Sequence, residues 1–227
     1  SRCNRSRAVR VNYTTYLSAD ITRGQSFLAL CKIEFRLRLR KKEQESSMML
    51  SDVDIQKKLK SGDIRIEPFN PDSLGPCSVD LRLDSIFRVY NPGTPVDIRE
   101  QKNLDKDTRL VNTEGNPFLI LPGQFVLAQT IEKISLSSEY AALLEGKSSV
   151  ARLGIIVHAA GLVNPGTGSK KPGKLTLEIY CENLSPVLLY PGMQIVQIMF
   201  VPLSSPAERA YDSRPSSRYV GQDSPDV

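Results

Sequence analysis

Residues 175–180 read Leu-Thr-Leu-Glu-Ile-Tyr, so Leu175, Leu177 and Ile179 alternate with Thr176, Glu178 and Tyr180. Successive side chains of a strand point to opposite faces, and this alternation therefore predicts a strand with one apolar and one polar face. The same period of two recurs on either side. Upstream, Val79, Leu81 and Leu83 alternate with Asp80, Arg82 and Asp84, Leu119 to Leu121 runs into Pro122-Gly123, and Phe125 to Thr130 follows; downstream, Ile195 to Val201 closes the set. Pro-Gly turn signals at 91–93, 122–123, 164–166 and 191–192 punctuate the strands. One helix is expected over 52–60: Ser51 can cap it, Asp54 follows three residues on, Ile55 and Leu59 share a face, and Gly62 can end it. Many short strands without strand–helix alternation predict an all-β sandwich or barrel.

Composition agrees with a globular body. The chain has 227 residues, 40% hydrophobic and 24% charged, enough to bury a sizeable core. No apolar run reaches the roughly eighteen residues that a membrane-spanning helix needs. Cys3, Cys31, Cys77 and Cys181 lie far apart with no CxxC pair, which argues against a disulfide framework or thiolate metal site and fits a reducing, cytoplasmic setting. His158 is the only histidine, so zinc sites built on two imidazoles are excluded.

The net charge of +5 is unevenly spread. Residues 1–47 carry 11 basic against 4 acidic side chains (+7), leaving 19 against 21 (−2) for residues 48–227. A body that bound nucleic acid would show the basic excess itself, and this one is slightly acidic. All four methionines fall at 48, 49, 193 and 199. The basic segment 1–47 is therefore expected to be translated upstream sequence, disordered or loosely attached, with a basic arm, a transit peptide or a signal peptide as the functional alternatives. Residues 48–203 form the expected body. The polar tail 204–227, rich in Ser, Pro, Arg and Asp, is expected either to be disordered or to order over a ligand or a neighbouring subunit.

Three stretches carry candidate chemistry. Gly168 to Lys174 (GSKKPGK) fits GxxxxGK, but Leu175 follows where a P-loop needs Ser or Thr, and a strand follows where it needs a helix. This stretch reads as a mobile hairpin loop whose lysines can still attract an anion. Lys147, Ser148, Ser149 and Arg152 put two cations and two hydroxyls just after Gly146, a combination that suits a polyphosphate, with a solvated helix cap as the plain structural alternative. Glu178 lies on the polar face of its strand. In a lone sandwich it would point to water; enclosed by another subunit, it could exchange protons near neutrality.

Taken together, these segments resemble the dCTP deaminases, within the trimeric dUTPase-like superfamily, from about Met49 to Gln222. SVDLRL at 78–83 is similar to the family's early strand, and LEGKSSVARLG at 144–154 to its G-[RK]-S-S-x-A-R-L-G motif. TLE at 176–178 is similar to the strand bearing the catalytic glutamate, and PGMQIVQI at 191–198 to a late strand. Tyr211, Arg218-Tyr219 and Gly221-Gln222 resemble the tail that covers the nucleotide.

The resemblance implies a β-barrel of distorted jelly-roll type and hydrolytic deamination of dCTP to dUTP and ammonia. In that role Glu178 is the general acid/base, and Ser148 and Arg152 hold it and the attacking water. The backbone around Ala159, Ala160 and Gly161 reads the base edge, with Thr176 and Leu177 at the substrate. Lys147, Ser148, Ser149, Val150, Ala151 and Arg152 contact the triphosphate, Asn164 lies near the deoxyribose, and Tyr211, Arg218 and Gln222 close over the nucleotide. It also implies sites between subunits of a homotrimer, with Mg2+ accompanying the triphosphate. Zinc is not implied: His158 is followed by Ala159-Ala160, and the His-x-Glu and Pro-Cys-x-x-Cys of zinc deaminases are missing.

Two positions and two segment lengths depart from the family pattern. Asp is usual where this chain has Asn164, and Asn cannot act as a base; Lys is usual at Arg218. The Lys147–Asn164 interval is one residue shorter than in most deaminases and resembles dUTPases, and loop 165–174 is about four residues longer. The alternatives are a dUTPase, a bifunctional deaminase–diphosphatase forming dUMP, or a catalytically silent nucleotide-binding module.

Overall fold

Strand periodicity with Pro-Gly breaks folds here into sheets, with a short helix leading into them. The computed structural model describes residues 49–93, 96, 99, 107–158 and 160–225. The segment 1–47, for which upstream sequence was expected, lies outside them, as does Ala159. Helix α1 (Asp52–Ser61) begins as expected and runs one residue longer. Ser51 Oγ accepts from the Asp54 amide (3.4 Å) and donates to its carboxylate (3.1 Å), while Gly62 closes the helix in the left-handed region. Ile55 anchors it, fully buried.

Twelve strands follow among the described residues. A six-stranded sheet has β4 (Thr108–Asn112), β3 (Ile86–Tyr90), β6 (Phe125–Leu136), β10 (Gly173–Cys181) and β8 (Ile155–His158) in that order, with β1 (Ile64–Glu67) also paired to β6. A four-stranded sheet has β2 (Val79–Arg82), β12 (Gln194–Pro202), β7 (Tyr140–Gly146) and β9 (Leu162–Val163), and β5 (Phe118–Ile120) pairs with β11 (Val187–Leu189). All the ladders are antiparallel. The all-β class of jelly-roll type stands as expected; among the described residues the ladders form three sheets around a shared core. Phe87, Leu177 and Ile179 from the larger sheet and Leu81, Ile198 and Phe200 from the smaller meet in that core, each fully buried.

Strand β6 organises the larger sheet. Its second half pairs with β1 and its first half with β3 on one edge, while β10 lies along the other. The register against β10 shifts between Lys174 and Thr176, the surplus residues lying on β6. There Thr130 Oγ1 donates to the Glu132 carbonyl (2.7 Å) and accepts from the Leu175 amide (3.0 Å). The buried Glu132 carboxylate takes the Arg82 amide (2.8 Å) and its Nε (2.7 Å).

The tail does not hang free. It belongs to the same compact unit as the body, and its Asp212, almost fully buried, accepts from the amides of Gly168 (3.3 Å) and Lys170 (2.9 Å). The loop read as a mobile hairpin is thus tied down by an acidic side chain some forty positions away. Asn164-Pro-Gly166 forms the expected turn, with the Thr167 amide bonded to the Asn164 carbonyl (3.1 Å), and the Tyr211 amide donates to the Pro165 carbonyl (2.8 Å). Gly168, at φ 72°, is pressed against β6: a Cβ there would penetrate the Ile134 carbonyl and stand 2.9 Å from the Ser135 Cα. Gly168→Ala therefore combines left-handed strain with a backbone clash. It should lower unfolding stability by about 3 kcal/mol, measured as a reduced urea midpoint.

Candidate active site

Glu178 sits on the central strand β10, paired with Leu127 of β6 on one side and His158 of β8 on the other. Its apolar neighbours Leu177 and Ile179 fill the core, which turns Glu178 and Thr176 to the other face. That face is not open to water, in contrast to the expectation for a lone sandwich. It forms the floor of a cavity of about 440 Å3, and Glu178 is half-buried there with Oε2 shielded from solvent. The chain's own tail supplies much of the cover: Tyr211, Tyr219, Gly221 and Gln222 line the cavity. Thr176 Oγ1 donates to Gln222 Oε1 (3.3 Å), and the Lys174 amide donates to the Gln222 carbonyl (2.8 Å).

Ala160 and Asn164 complete the opposite wall with Leu162 and Val163. The structure therefore gathers Glu178, Thr176, Ala160, Asn164, Tyr211 and Gln222 around one space. The remaining candidates lie elsewhere. Ser148, Ser149, Ala151 and Arg152 are exposed on or beside the one-turn helix α2 (Ser148–Ala151), and Val150 is buried as its core anchor. Ile155 pairs with Cys181, three residues beyond Glu178, and none of residues 147–152 lines the cavity. Lys147 is engaged with the Asp80 carboxylate and with Gln194 Oε1 (3.2 Å). Leu177 faces the core, the Gly161 carbonyl accepts from the Leu144 amide (3.0 Å), and Arg218 is exposed on the tail outside the cavity wall.

Several wall residues carried no recognisable signal in the sequence. Tyr90 ends β3 and Phe125 begins β6, with ring centroids 5.8 Å apart, and together they form an aromatic wall beside Glu178. Burial pushes the Tyr90 phenol up; nearby Arg88 opposes this, and Glu178 and Tyr219 add to it. The phenol is thus a neutral donor at physiological pH. Lys174 also lines the cavity, its ammonium held by Asp84 (2.6 Å), which accepts from Gln129 Nε2 as well (2.7 Å). Burial raises the Asp84 carboxyl, but hydrogen bonds from Lys174, Gln129 and the Ser85 amide, with the charge of Lys174, outweigh it and leave Asp84 below the usual carboxylate range. Only an aromatic at a strand end or a lysine beside TLE could have hinted at these roles, and such residues are commonplace.

Glu178 thus lies in a tail-lined pocket of an all-β body, and the fold of that body has a solved counterpart. The 2'-deoxycytidine 5'-triphosphate deaminase of Agrobacterium tumefaciens shares that fold, with a TM-score of 0.54 and 23% identity over 69% of this chain and 49% of that one. Residues 49–203 match the family described as dCTP deaminase-like, and the chain belongs to it. Curated relatives agree. The protein named "dCTP deaminase, dUMP-forming" in Corynebacterium efficiens is 44% identical over 181 residues, covering 78% of this chain and 92% of that protein. Its namesake in Tropheryma whipplei is 45% identical over 181 residues, covering 78% and 90%.

Proposed function

We propose that this protein deaminates dCTP and carries the product on to dUMP, releasing ammonia and pyrophosphate. The observation that carries the reading is the single cavity onto which Glu178, Asn164 and the tail residue Gln222 all open. The sequence on its own favoured dUTP as the product; the relatives named dUMP-forming shift the balance to the two-step outcome.

In the first step Glu178 takes a proton from water as its oxygen attacks C4 of cytosine, then passes that proton to the departing amino group, so dCTP and water give dUTP and ammonia. A half-buried carboxylate beside an aromatic wall suits this work, because the walls can hold it against the reacting atoms and limit competing bulk water. In the second step a water attacks the α-phosphate as its bond to the bridging oxygen breaks; pyrophosphate leaves, and the water's proton passes to it or to solvent. Asn164 can orient that water but cannot take its proton. Among the described residues no cluster of three metal-ligating side chains exists, so Mg2+ would be held by the nucleotide's phosphate oxygens and water, a donor set that suits it, and would neutralise phosphate charge.

The cations and hydroxyls of residues 147–152 are the chain's best polyphosphate ligands, yet a protomer keeps them away from its own cavity. A homotrimer resolves this: α2 of one protomer, with Ser148 and Arg152 exposed, would complete the cavity of its neighbour. Lys147 would then support the site through Asp80 and Gln194. No helix among the described residues is long and apolar enough to span a membrane, and a cytoplasmic setting belongs to this reading.

Following ammonia and pyrophosphate separately during incubation with dCTP tests the proposal. Equal final yields are expected, with pyrophosphate lagging. Ammonia without pyrophosphate would instead establish a deaminase that stops at dUTP, the reading that Asn164 favours. Asn164→Asp restores a proton acceptor and should raise the pyrophosphate-forming rate by about 10²-fold, with little change in ammonia release.

A further inference from the structure

Asp223 lies one residue beyond Gln222 and reaches in two directions. Its Oδ1 meets Lys133 Nζ of β6 (2.6 Å) and its Oδ2 meets Lys171 Nζ of loop 168–173 (3.2 Å). Both lysines hold the Asp223 carboxyl below the usual carboxylate range. The flanking backbone is pinned as well: Gln129 Nε2 donates to the Asp223 carbonyl (3.2 Å), and the buried Arg88 donates through Nε to the Pro225 carbonyl (2.8 Å). The strap also fits the loop closely. A Cβ on Gly221 would stand 2.7 Å from Lys171 Cδ, and one on Gly173 would stand 2.9 Å from the Gln222 amide.

The loop lysines that looked in sequence like a lure for an anion thus have one inside the chain: Lys171 is bound to the tail's own carboxylate. Tyr219, Gly221 and Gln222 line the cavity, so a nucleotide bound there meets the strap directly. From this arrangement we infer that Asp223 is a positioning residue, a charge latch that fixes Gln222 over the cavity and makes strap opening depend on ionic strength. The inference rests on the proposed reading of the cavity as a nucleotide site.

Its chemistry sets the size of the effect. All three partners are partly exposed, with side chains 47%, 37% and 61% accessible for Asp223, Lys133 and Lys171, so each pair is modest and screened by salt. Two such pairs lost together should loosen the strap about three- to tenfold.

The test measures amide hydrogen exchange across residues 219–225 in the full chain without nucleotide, at low and high salt, for wild type, Asp223→Asn and Asp223→Glu. Exchange in Asp223→Asn should be about three- to tenfold faster at low salt, wild type should approach it at high salt, and Asp223→Glu should retain protection. With dCTP, Asp223→Asn should raise KM by a similar factor without lowering kcat. Lys171→Gln should reproduce a weaker form of the change, which separates the latch from any folding defect at 223. Wild-type exchange in Asp223→Asn would overturn the latch whatever the turnover. Faster exchange with unchanged KM in an active enzyme would overturn the positioning role. Faster exchange in a protein that releases no ammonia from dCTP would uphold the latch and remove the deaminase reading instead.

Discussion

Glu178→Gln should reduce ammonia release from dCTP by about 10²- to 10⁴-fold, the range that a positioned general acid/base contributes. The substitution preserves shape and removes the proton acceptor, so nucleotide binding should change far less than kcat. Structure supports the expectation of intact folding. The Glu178 side chain lies on the cavity face of β10, while Leu177 and Ile179 hold the strand in the core. Steady-state ammonia production, paired with calorimetric binding of dCTP, checks both halves. Turnover retained within a few fold would take the proton shuttle away from Glu178 and leave the cavity as a binding site only.

The second large effect concerns who completes the site. Arg152→Ala should be as inactive as Glu178→Gln if Arg152 reaches the reacting centre of a neighbouring protomer. Mixing the two inactive variants by co-refolding then restores activity. In an equal random mixture, each site draws Glu178 from one protomer and Arg152 from the next, each intact half the time, so about one quarter of sites recover. A site built within one chain predicts no recovery at all. The exposure of Arg152 just after a short helix, outside the cavity wall that holds Glu178, makes the shared site the expected outcome.

Part of this site is legible in the sequence alone. Thr176-Leu177-Glu178 announces both its strand and the polar face of its glutamate, because side-chain alternation is a local property of extended backbone. The turns at 164–166 and 191–192 and the Ser51-capped helix are legible for the same reason: their geometry depends on residues adjacent in the chain. Glu178's cover is not local. Tyr90 and Phe125 arrive from two other strands, and Tyr211 and Gln222 from a tail whose polar composition allowed either disorder or ordering over a ligand. That tail is ordered by Asp212, Gln222 and Asp223, whose partners at Gly168, Lys174, Lys133 and Lys171 are distant in sequence.

The chain's order of residues alone determined the all-β class, the strand that carries Glu178, and membership of a deaminase-like family, since periodicity and contiguous motifs survive without any knowledge of neighbours. Only the tertiary structure decided that Glu178 is sheltered by its own tail, that Lys174 is paired with Asp84, and that residues 147–152 lie outside the cavity wall of their own protomer. A pattern of alternation fixes which way a side chain points. What it then meets depends on long-range sheet pairing and on the register shift between Lys174 and Thr176, neither of which is written in any short stretch of sequence.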